Sequence, residues 1–541
     1  MAGLITILDV SVGILALYLL KHYLLPSKST SKLPLPPGPK PRPLIGNLLD
    51  LPKEYDWLHW AKHKPLYGPI SSISVFGQTM ILIHSPQIAF DLFEKKSSIY
   101  SSRPTLVFGG QMCGWDRTHA LLPYGSRFRA HRKYLSQLIG TRSAVTQFVP
   151  LEVAETRRFI KRVMENPDGL LEHIRKLAGG IILKISYGYS IEADGHDPLV
   201  DLADEAVGQF SLSTIPGAWL VDVMPFLRYI PDWFPGAGFK RTASRSLKMA
   251  NELADKPYAF VQRQMANGVA TTSYTSALVE KLEKAKADNA DAATIAEEEF
   301  VIKWSAASLY GGGADTTVSA IYSFYLAMVL FPDIQARAQA EIDSVIGSAN
   351  GDGPDRIPGL EDREKLVYVD ALVKEVLRWN PVTPIGLPHV NTEDDVYNGY
   401  FIPKGSILIA NIWQITHDPE LYHEPFEFKP ERYLGEKPEQ DSHLYNFGFG
   451  RRICPGKELA DTSIFLAVCQ TLAAFTISKP ISKETGEEYT PECHYQTGII
   501  SHPKAYKCRV TPRSARLRKL VDAVDEEFGV EESDAKILKE L

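Results

Sequence analysis

The longest helical candidate in the chain is interrupted at its centre by residues that oppose helix formation. Phe300–Phe331 is mainly apolar, yet its middle reads SLYGGGADTTVSA over residues 308–320. Each glycine costs roughly 1 kcal/mol relative to alanine in a helix interior. The glycines therefore indicate close helix packing, a loop between two helices, or a helix opened so that a ligand can approach the backbone. In the third case, Asp315 and Thr316 lie at the opening and can pass protons to a bound species.

The rest of the pattern predicts a mainly α fold with small β-sheets. Composition is that of a globular protein with a substantial core, since 44% of the 541 residues are hydrophobic and 23% are charged. The net charge of −6 gives no reason to expect a nucleic-acid partner. The other long helical candidates are Leu366–Trp379 and Lys457–Phe475, and short β-like runs occur at Ile70–Val75, Met80–Ile83 and Ile407–Ala410.

The N-terminus predicts a membrane anchor within residues 1–25. The run LITILDVSVGILALYLL, residues 4–20, is apolar apart from Asp9 and a few small polar residues, and is just long enough to span a bilayer. Positive charges follow the run and no small-residue cleavage site appears, which favours an anchor over a cleaved signal peptide or a buried core helix. The basic residues after it place the remaining chain in the cytosol. Five scattered cysteines without a C-x-x-C pair agree with a reducing compartment.

Proline marks the start of the main domain. The segment LPLPPGPKPRPLIGN, residues 33–47, predicts a stiff extended spacer, because proline fixes φ and removes a backbone donor. An SH3-type ligand is the alternative, but the position after an anchor favours a hinge. We therefore expect a hinge at residues 26–47, a main domain at 48–512 and a charged amphipathic tail at 513–541.

Two motifs nearer the C-terminus carry charge or sulfur. KEVLRWNP, residues 374–381, places Glu375 and Arg378 on one face of a helix with apolar neighbours, and Arg432 in FKPERYL could share the glutamate. We expect this group to lock segments together and not to turn over substrate. NFGFGRRICPG, residues 446–456, holds Cys454 just before a predicted helix, whose N-terminus lowers the cost of a thiolate.

Taken in this order, the motifs resemble the cytochrome P-450 family of haem-thiolate monooxygenases. The family's haem loop, F-x-x-G-x-R-x-C-x-G, is matched at every fixed position, and GGADTT at residues 312–317 matches its oxygen groove. The resemblance covers roughly residues 33–512. The PERY, SSRP and proline-hinge details are most similar to microsomal fungal members.

The resemblance implies the P-450 fold and haem b (iron protoporphyrin IX) as cofactor. It makes Cys454 the axial ligand of the haem iron, where a thiolate favours O–O cleavage. Gly450 and Gly456 would let the chain turn sharply close to the porphyrin. The implied haem-binding residues are Cys454, Arg132, His389, Arg452, Phe447, Gly450 and Gly456; the implied catalytic residues are Asp315 and Thr316; the structural ones are Glu375, Arg378 and Arg432.

One position departs from the family pattern. Members often have W-x-x-x-R in the helix that touches the haem propionates, whereas this chain reads FRAHR from Phe128 to Arg132. The arginine is kept, but the indole N–H is lost. One propionate hydrogen bond is therefore in doubt.

The implied reaction inserts one oxygen atom from O2 into a small to medium lipophilic molecule, in secondary metabolism or xenobiotic oxidation. No G-x-G-x-x-G or P-loop is present, so electrons are expected from a separate NADPH-cytochrome P-450 reductase at the endoplasmic reticulum membrane. Lys133, Arg451 and Lys457 are candidates for its docking face. The substrate pocket is expected from Leu106–Leu121, the segment around Phe210–Ile215, Tyr310 and its neighbours, Ile385–Leu387 and Thr497–Ile500.

Three other functions compete with this reading. A haem-thiolate isomerase or dehydratase would need no reductase, and a haem sensor would need no catalysis. The intact acid–threonine pair argues against both. A cysteine–histidine hydrolase would need a nucleophile motif that the surroundings of Cys454 lack.

Overall fold

A computed structural model of the protein describes Gly13 and residues 33–347, 354 and 356–540. Its longer helices, numbered in chain order, are α1 (Ser126–Ile139), α2 (Val149–Glu165), α3 (Leu170–Tyr187), α4 (Pro198–Ser213), α5 (Gly238–Ala266), α6 (Tyr274–Ala287), α7 (Ala292–Leu330), α8 (Pro332–Ile346), α9 (Val367–Trp379), α10 (Lys457–Ala474) and α11 (Ala515–Asp522). Shorter α-helical segments span Asp56–Ala61, His63–Tyr67, Pro86–Phe90, Ser97–Tyr100, Arg142–Val145, Leu220–Val223, Ile412–Thr416, His443–Asn446, Val524–Phe528 and Ala535–Leu538.

The strands form three small sheets beside the helices. The largest has the order β1–β2–β6–β3, in which β1 and β2 are antiparallel and β2 and β6 are parallel. The pairs β4–β5 and β7–β8 form the other two. The strands are β1 (Ile70–Val75), β2 (Gln78–Ile83), β3 (His389–Val390), β4 (Asp395–Tyr397), β5 (Tyr400–Ile402), β6 (Ile407–Ala410), β7 (Phe475–Ser478) and β8 (Arg509–Pro512). The predicted mainly α fold with small sheets is confirmed.

Helix α7 runs through the centre of the helical core without a break at its glycines. All residues from Ala292 to Leu330 are α-helical, so the alternative of two helices joined by a loop is wrong, and no opening of the backbone is seen. An added Cβ at Gly313 would lie 2.6 Å from the side chain of Ile182, so this glycine lets α7 pack closely on α3. At Gly312 a Cβ would meet nothing within 4 Å. Gly313 therefore allows close helix packing, whereas Gly312 faces open space. The helices in contact with α7 include α1, α3, α4, α5, α6, α9 and α10.

The described part of the proline segment is docked on the domain. Ser72 donates its backbone N–H to Pro37 and its hydroxyl to Pro36, and Phe401 donates its N–H to Pro34. A proline cannot donate but keeps its carbonyl acceptor, and these contacts use only the carbonyls. Residues 36–47 therefore lie along β1, and Pro34 contacts β5, so the segment predicted as a stiff extended spacer is docked on the domain.

The C-terminal tail also packs on the helices. Leu517 and Val521 on one face of α11 are buried, and α11 contacts α2. Lys161 pairs with Asp525 at 2.5 Å, and Lys184 pairs with Glu531 at 2.6 Å. The amphipathic pattern of the tail is thus used for docking.

The predicted membrane anchor lies outside the described residues, apart from Gly13. Within the part of the chain that the structure describes, no single helix combines the length and apolar composition of a membrane span. The helices α7 and α8 meet that criterion only when taken together, and they are bent by 107°.

A fully buried ion cluster joins α9 to the segment that follows α9 in the chain. Glu375 lies 2.7 Å from Arg378 and 3.1 Å from Arg432, measured between its Oε2 and each Nε. The Arg378 guanidinium also donates to the carbonyls of Thr416 and Pro425, at 2.9 and 2.7 Å. Every charge in the cluster has an opposite charge or a carbonyl beside it, as a buried ion requires.

We expect Glu375→Ala to destabilise the protein by about 3–5 kcal/mol, because it leaves the buried guanidinium of Arg378 without its counter-charge and removes one of the two carboxylates beside Arg432. Glu439→Ala is the matched control, since Glu439 also pairs with Arg432, at 2.6 Å, but is partly exposed. It should cost about 1 kcal/mol or less. Denaturant unfolding of both variants measures the difference. Equal losses would contradict a structural role centred on Glu375.

Candidate functional site

A cavity of about 370 Å³ lies between α7 and the loop that precedes α10. Gly312, Thr316 and Thr317 line one side and Cys454 lines the other. The two motifs that the sequence singles out therefore share one cavity. Most of the remaining wall is apolar and includes Ile182, Val207, Leu253, Leu377, Val382 and Ile499.

The cysteine loop is a tight turn that ends in a helix cap. The Cys454 N–H donates to the carbonyl of Phe447 at 2.8 Å, and Gly456 is the N-cap of α10. Burial raises the pKa of the Cys454 thiol, while the N–H of Gly456 and the charges of Arg132 and Lys457 act in the opposite direction. Burial is the larger effect. The side chain of Cys454 is nevertheless exposed, toward the cavity that it lines.

The two glycines of this loop differ in what they do. Gly450 has φ +52°, and a Cβ there would lie 2.2 Å from the backbone oxygen of Phe93. Gly456 has φ −93°, and a Cβ there would meet nothing closer than 3.7 Å. The expected sharp turn is found at Gly450 only, and the close neighbour that requires it is the chain at Phe93.

Three arginines near the cysteine loop have no acidic partner in the described part of the chain: Arg103 and Arg452 line the cavity, whereas Arg132 lies outside it, against the carbonyl of Ile453. Arg103 and Arg452 are buried, Arg132 is half-buried, and none of the ion pairs among the described residues includes them. Burial lowers the pKa of Arg103 to about 9, and burial together with the charge of Arg103 lowers that of Arg452 to about 8. Their hydrogen bonds go to backbone carbonyls: Arg103 to Ala120, Leu387 and Pro388, Arg132 to Ile453, and Arg452 to Ser101, His119 and Leu122.

A neutral histidine, His389, lies beside these arginines. Its ring lines the cavity, stacks on Phe93 at 4.1 Å between centroids, and contacts the carbonyl of Tyr100 through Nδ1 at 2.7 Å. Burial, with the charge of Arg103, holds the pKa of His389 well below its usual range. So much buried positive charge without a carboxylate indicates a site for an anionic ligand that carries more than one charge.

Asp315 and Thr316 face different surroundings. The hydroxyl of Thr316 lines the cavity and donates to the carbonyl of Gly312 at 2.7 Å. Asp315 is buried away from the cavity wall, and its carboxylate lies 3.0 Å from Nε2 of His502. Asp204 is close enough for its pKa to respond to both members of this pair. The structure therefore brings Thr316, but not Asp315, to the cavity.

Comparison with known proteins identifies the family. A family model described as cytochrome P450 matches residues 36–510. The chain belongs to the cytochrome P450 family. Cytochrome P450 monooxygenase claR of Ampulloclitocybe clavipes is 48% identical over 99% of this chain and 96% of its own length. Cytochrome P450 monooxygenase ppsD of Aspergillus oryzae is 43% identical over 94% of both chains. The O-methylsterigmatocystin oxidoreductase of Aspergillus flavus is 40% identical over 97% of this chain and 96% of its own length.

As a P450 monooxygenase, the protein is an oxidoreductase whose cofactor is haem. The site fits that group. Haem carries two propionates, which match the buried arginines, and its iron accepts a thiolate such as that of Cys454. The cavity offers an apolar wall for the ring between these two contacts.

The stretches expected to form the substrate pocket of this P450 are partly correct. Phe210, Ile385–Leu387 and two residues of Thr497–Ile500 line the cavity, as do Trp115, Thr118, His119 and Ala120. The neighbours Leu309 and Gly311 also line the cavity, whereas Tyr310 does not, because its hydroxyl donates to the carbonyl of Leu199 within the helical core.

Sequence reasoning missed three residues around the site. Arg103 stands in the SSRP segment, which served only as a detail similar to microsomal fungal members and not as a site. His119 lies inside the expected stretch Leu106–Leu121, but nothing in the sequence singles it out. His502 has no local signal, because its partner Asp315 is 187 residues away in the chain.

We expect Gly450→Ala to abolish most haem loading of this P450, because alanine pays about 1–2 kcal/mol for the left-handed conformation and its Cβ would displace the chain at Phe93. Gly456→Ala is the matched control and should load haem nearly normally, since its Cβ finds ordinary contacts. The absorbance of the reduced carbon monoxide complex per mole of protein measures loading. Similar values for the two variants would contradict this assignment.

Proposed function

We propose that the protein is a haem-thiolate monooxygenase that inserts one oxygen atom from O2 into a small to medium lipophilic molecule of fungal secondary metabolism. The observation that carries this proposal is the shared apolar cavity, which has the thiol of Cys454 at one side and the hydroxyl of Thr316 at the other. The relatives support it, since they are named as monooxygenases and one is named for O-methylsterigmatocystin.

In this proposal, the chain's own residues hold the cofactor at both ends. Cys454 would hold the haem iron through its sulfur, which has the N–H of Gly456 beside it. Arg132 and Arg452 would hold the propionates together with Arg103, His389 would pack beside them at the cavity wall, and Phe447, Gly450 and Gly456 shape the loop. Bound haem supplies the oxygen-activating chemistry, and a thiolate ligand favours O–O cleavage.

Protons reach the cavity through α7. The Thr316 hydroxyl can accept and donate a proton within the cavity, and Asp315 is next to it in the helix. The pairing of Asp315 with His502 lies near Asp204, whose contact with Arg175 at 2.6 Å is partly exposed to solvent. We therefore assign proton supply to Asp315 from the outer side of α7. An isomerase or dehydratase, the alternative, would have no need of this arrangement.

Electrons come from a separate NADPH-dependent reductase at the endoplasmic reticulum membrane. Lys133 and Arg451 lie with Arg129 and Arg132 around a surface concavity of about 430 Å³, beside the cysteine loop. Lys457 also lies at the loop, with Nζ 5.9 Å from the Phe447 ring centroid. A basic surface so close to Cys454 suits an acidic electron-transfer partner. The apolar run at residues 4–20 would anchor the protein, with the catalytic domain in the cytosol.

We expect membranes from cells expressing this chain with a fungal reductase to show the red-shifted Soret band of thiolate-bound haem with carbon monoxide. Cys454→Ser should abolish the band. Conversion of a lipophilic compound, found by spectral binding shifts, should require O2, NADPH and reductase together, and 18O2 should label the product. Raised salt should slow the reductase-dependent reduction, because it screens the basic surface.

Each arm of this experiment has a contradictory outcome. A band that survives in Cys454→Ser would remove the ligand assignment. Product formation without O2 or reductase would favour the isomerase alternative. Activity in the supernatant of the membrane fraction would contradict the anchor.

We expect Thr316→Ala to bind haem and substrate nearly normally but to divert reducing equivalents to hydrogen peroxide, because the cavity loses its proton-donating hydroxyl. Asp315→Asn should slow turnover and change the solvent isotope effect. Thr317→Val is the matched control, because Thr317 also lines the cavity and also loses a hydroxyl, but the proposal gives it no role in proton transfer. The ratio of product formed to NADPH consumed is the measurement. Unchanged coupling in both Thr316→Ala and Asp315→Asn would mean that protons arrive elsewhere.

A further inference from the structure

Position 128 raises a question that the family pattern leaves open. Many members have tryptophan there and use its N–H toward a propionate, whereas this chain has Phe128. Phenylalanine has no donor, so the buried cations near the cavity lack one expected neighbour. The side chains packed on Phe128 show what stands in its place.

The imidazole of His119 stacks on the Phe128 ring. The centroids are 4.7 Å apart and the planes differ by 14°. The guanidinium of Arg452 also contacts Phe128 and lies 3.6 Å from its ring centroid. Phe128 therefore acts as a platform between an arginine at the anionic end of the site and a histidine that lines the same cavity.

The position of His119 is fixed by its backbone and not by its ring. Its N–H donates to the Ser308 hydroxyl at 2.9 Å, and its carbonyl accepts from Arg452. Nδ1 is buried without a partner, and no hydrogen bond among the described residues uses either ring nitrogen. A buried polar atom without a partner in a native fold usually has one in the ligand-bound state.

The protonation state of His119 suits a neutral donor. Burial, followed by the positive charges around it, holds the pKa of His119 well below its usual range. A neutral imidazole carries one N–H, and neither ring nitrogen of His119 is hydrogen-bonded to another described residue. His389 differs, because its Nδ1 must donate to the Tyr100 carbonyl, which leaves no N–H for the cavity while the ring is neutral.

We propose that His119 donates a hydrogen bond to a haem propionate and so replaces the donor that is lost with phenylalanine at position 128. This inference rests on the haem binding assigned above. His119 is then a cofactor-positioning residue, held against Phe128 by stacking and beside Arg452 through its carbonyl. It adds a neutral donor to a group of arginines whose N–H groups largely serve backbone carbonyls.

The test compares haem release in variants of the full chain. His119→Phe keeps a ring that can stack on Phe128 but removes the N–H, and haem transfer to excess apomyoglobin should be roughly tenfold faster or more. The double variant His119→Phe/Phe128→Trp restores an N–H at the family position and should return toward the wild-type rate. The midpoint potential of the haem should shift and recover in the same order.

His131→Phe is the matched control. His131 lies in the same stack, 6.1 Å from His119, and its two ring nitrogens also lack partners, but it does not line the cavity. It should release haem at the wild-type rate. The carbon monoxide band in every variant shows that Cys454 still binds iron, so loss of the band in the wild type would count against the proposed function and not against His119.

Two results would overturn the inference: a wild-type release rate in His119→Phe, or equal acceleration in His119→Phe and His131→Phe. Failure of Phe128→Trp to slow release in the double variant would overturn the replacement of the indole. If His119→Phe does not fold, His119→Gln, which keeps an N–H, is compared with His119→Leu, which has none. Equal release from that pair would likewise overturn the proposal.

Discussion

The organisation of this P450 depends on buried positive charge that the protein itself does not neutralise. Arg103 and Arg452 are buried, with backbone carbonyls as their partners and no carboxylate in contact. Carbonyl dipoles lower the cost of a buried guanidinium but do not cancel its charge. The guanidinium groups and their carbonyl partners come from the segment after β2, the start of β3 and the cysteine loop. These three parts of the chain must therefore lie together. In the proposed haem complex, the two propionates would complete that meeting point, and cofactor binding would then be linked to the packing of these segments.

In the Glu375 cluster, by contrast, the protein itself supplies carboxylate charge to its buried arginines. There, one carboxylate lies between Arg378 and Arg432, and the remaining N–H groups reach carbonyls of the neighbouring chain. With Glu439 beside Arg432, two carboxylates balance the two guanidinium charges without any ligand. The molecule thus has one buried ion cluster, which joins α9 to the segment that follows it in the chain and whose charges are balanced within the protein. A second group of buried charges, the arginines at the cavity, has no carboxylate in contact with it. The first can form during folding, whereas the second gains its full stability only with the cofactor.

The local sequence pattern was enough to predict the secondary-structure elements and the cysteine loop. The predictions that failed depend mainly on contacts between residues far apart in the chain. The strands β1 and β6 and the helix α10 follow from short-range periodicity, and the cysteine loop follows from a contiguous motif. Asp315 was expected at the cavity because Thr316 is its neighbour, but adjacent residues in a helix point about 100° apart. Its partner His502 is 187 residues away in the chain, a distance over which one sequence carries no pairing signal. The docking of the proline segment was missed because proline predicts the loss of donors and says nothing of its acceptors.

That docked segment has a consequence for the behaviour of the largest sheet. On one side β1 pairs with β2, and its other side would be an open edge, which is a template for pairing with a second molecule. Residues 36–47 occupy this edge by accepting from Ser72 and Ser74. Because Pro36, Pro37 and Pro39 have no N–H of their own, the segment offers no donor ladder to a further strand at these positions. At these prolines the β1 edge of the sheet is covered by a segment that a further strand cannot extend, which protects this edge from edge-to-edge pairing.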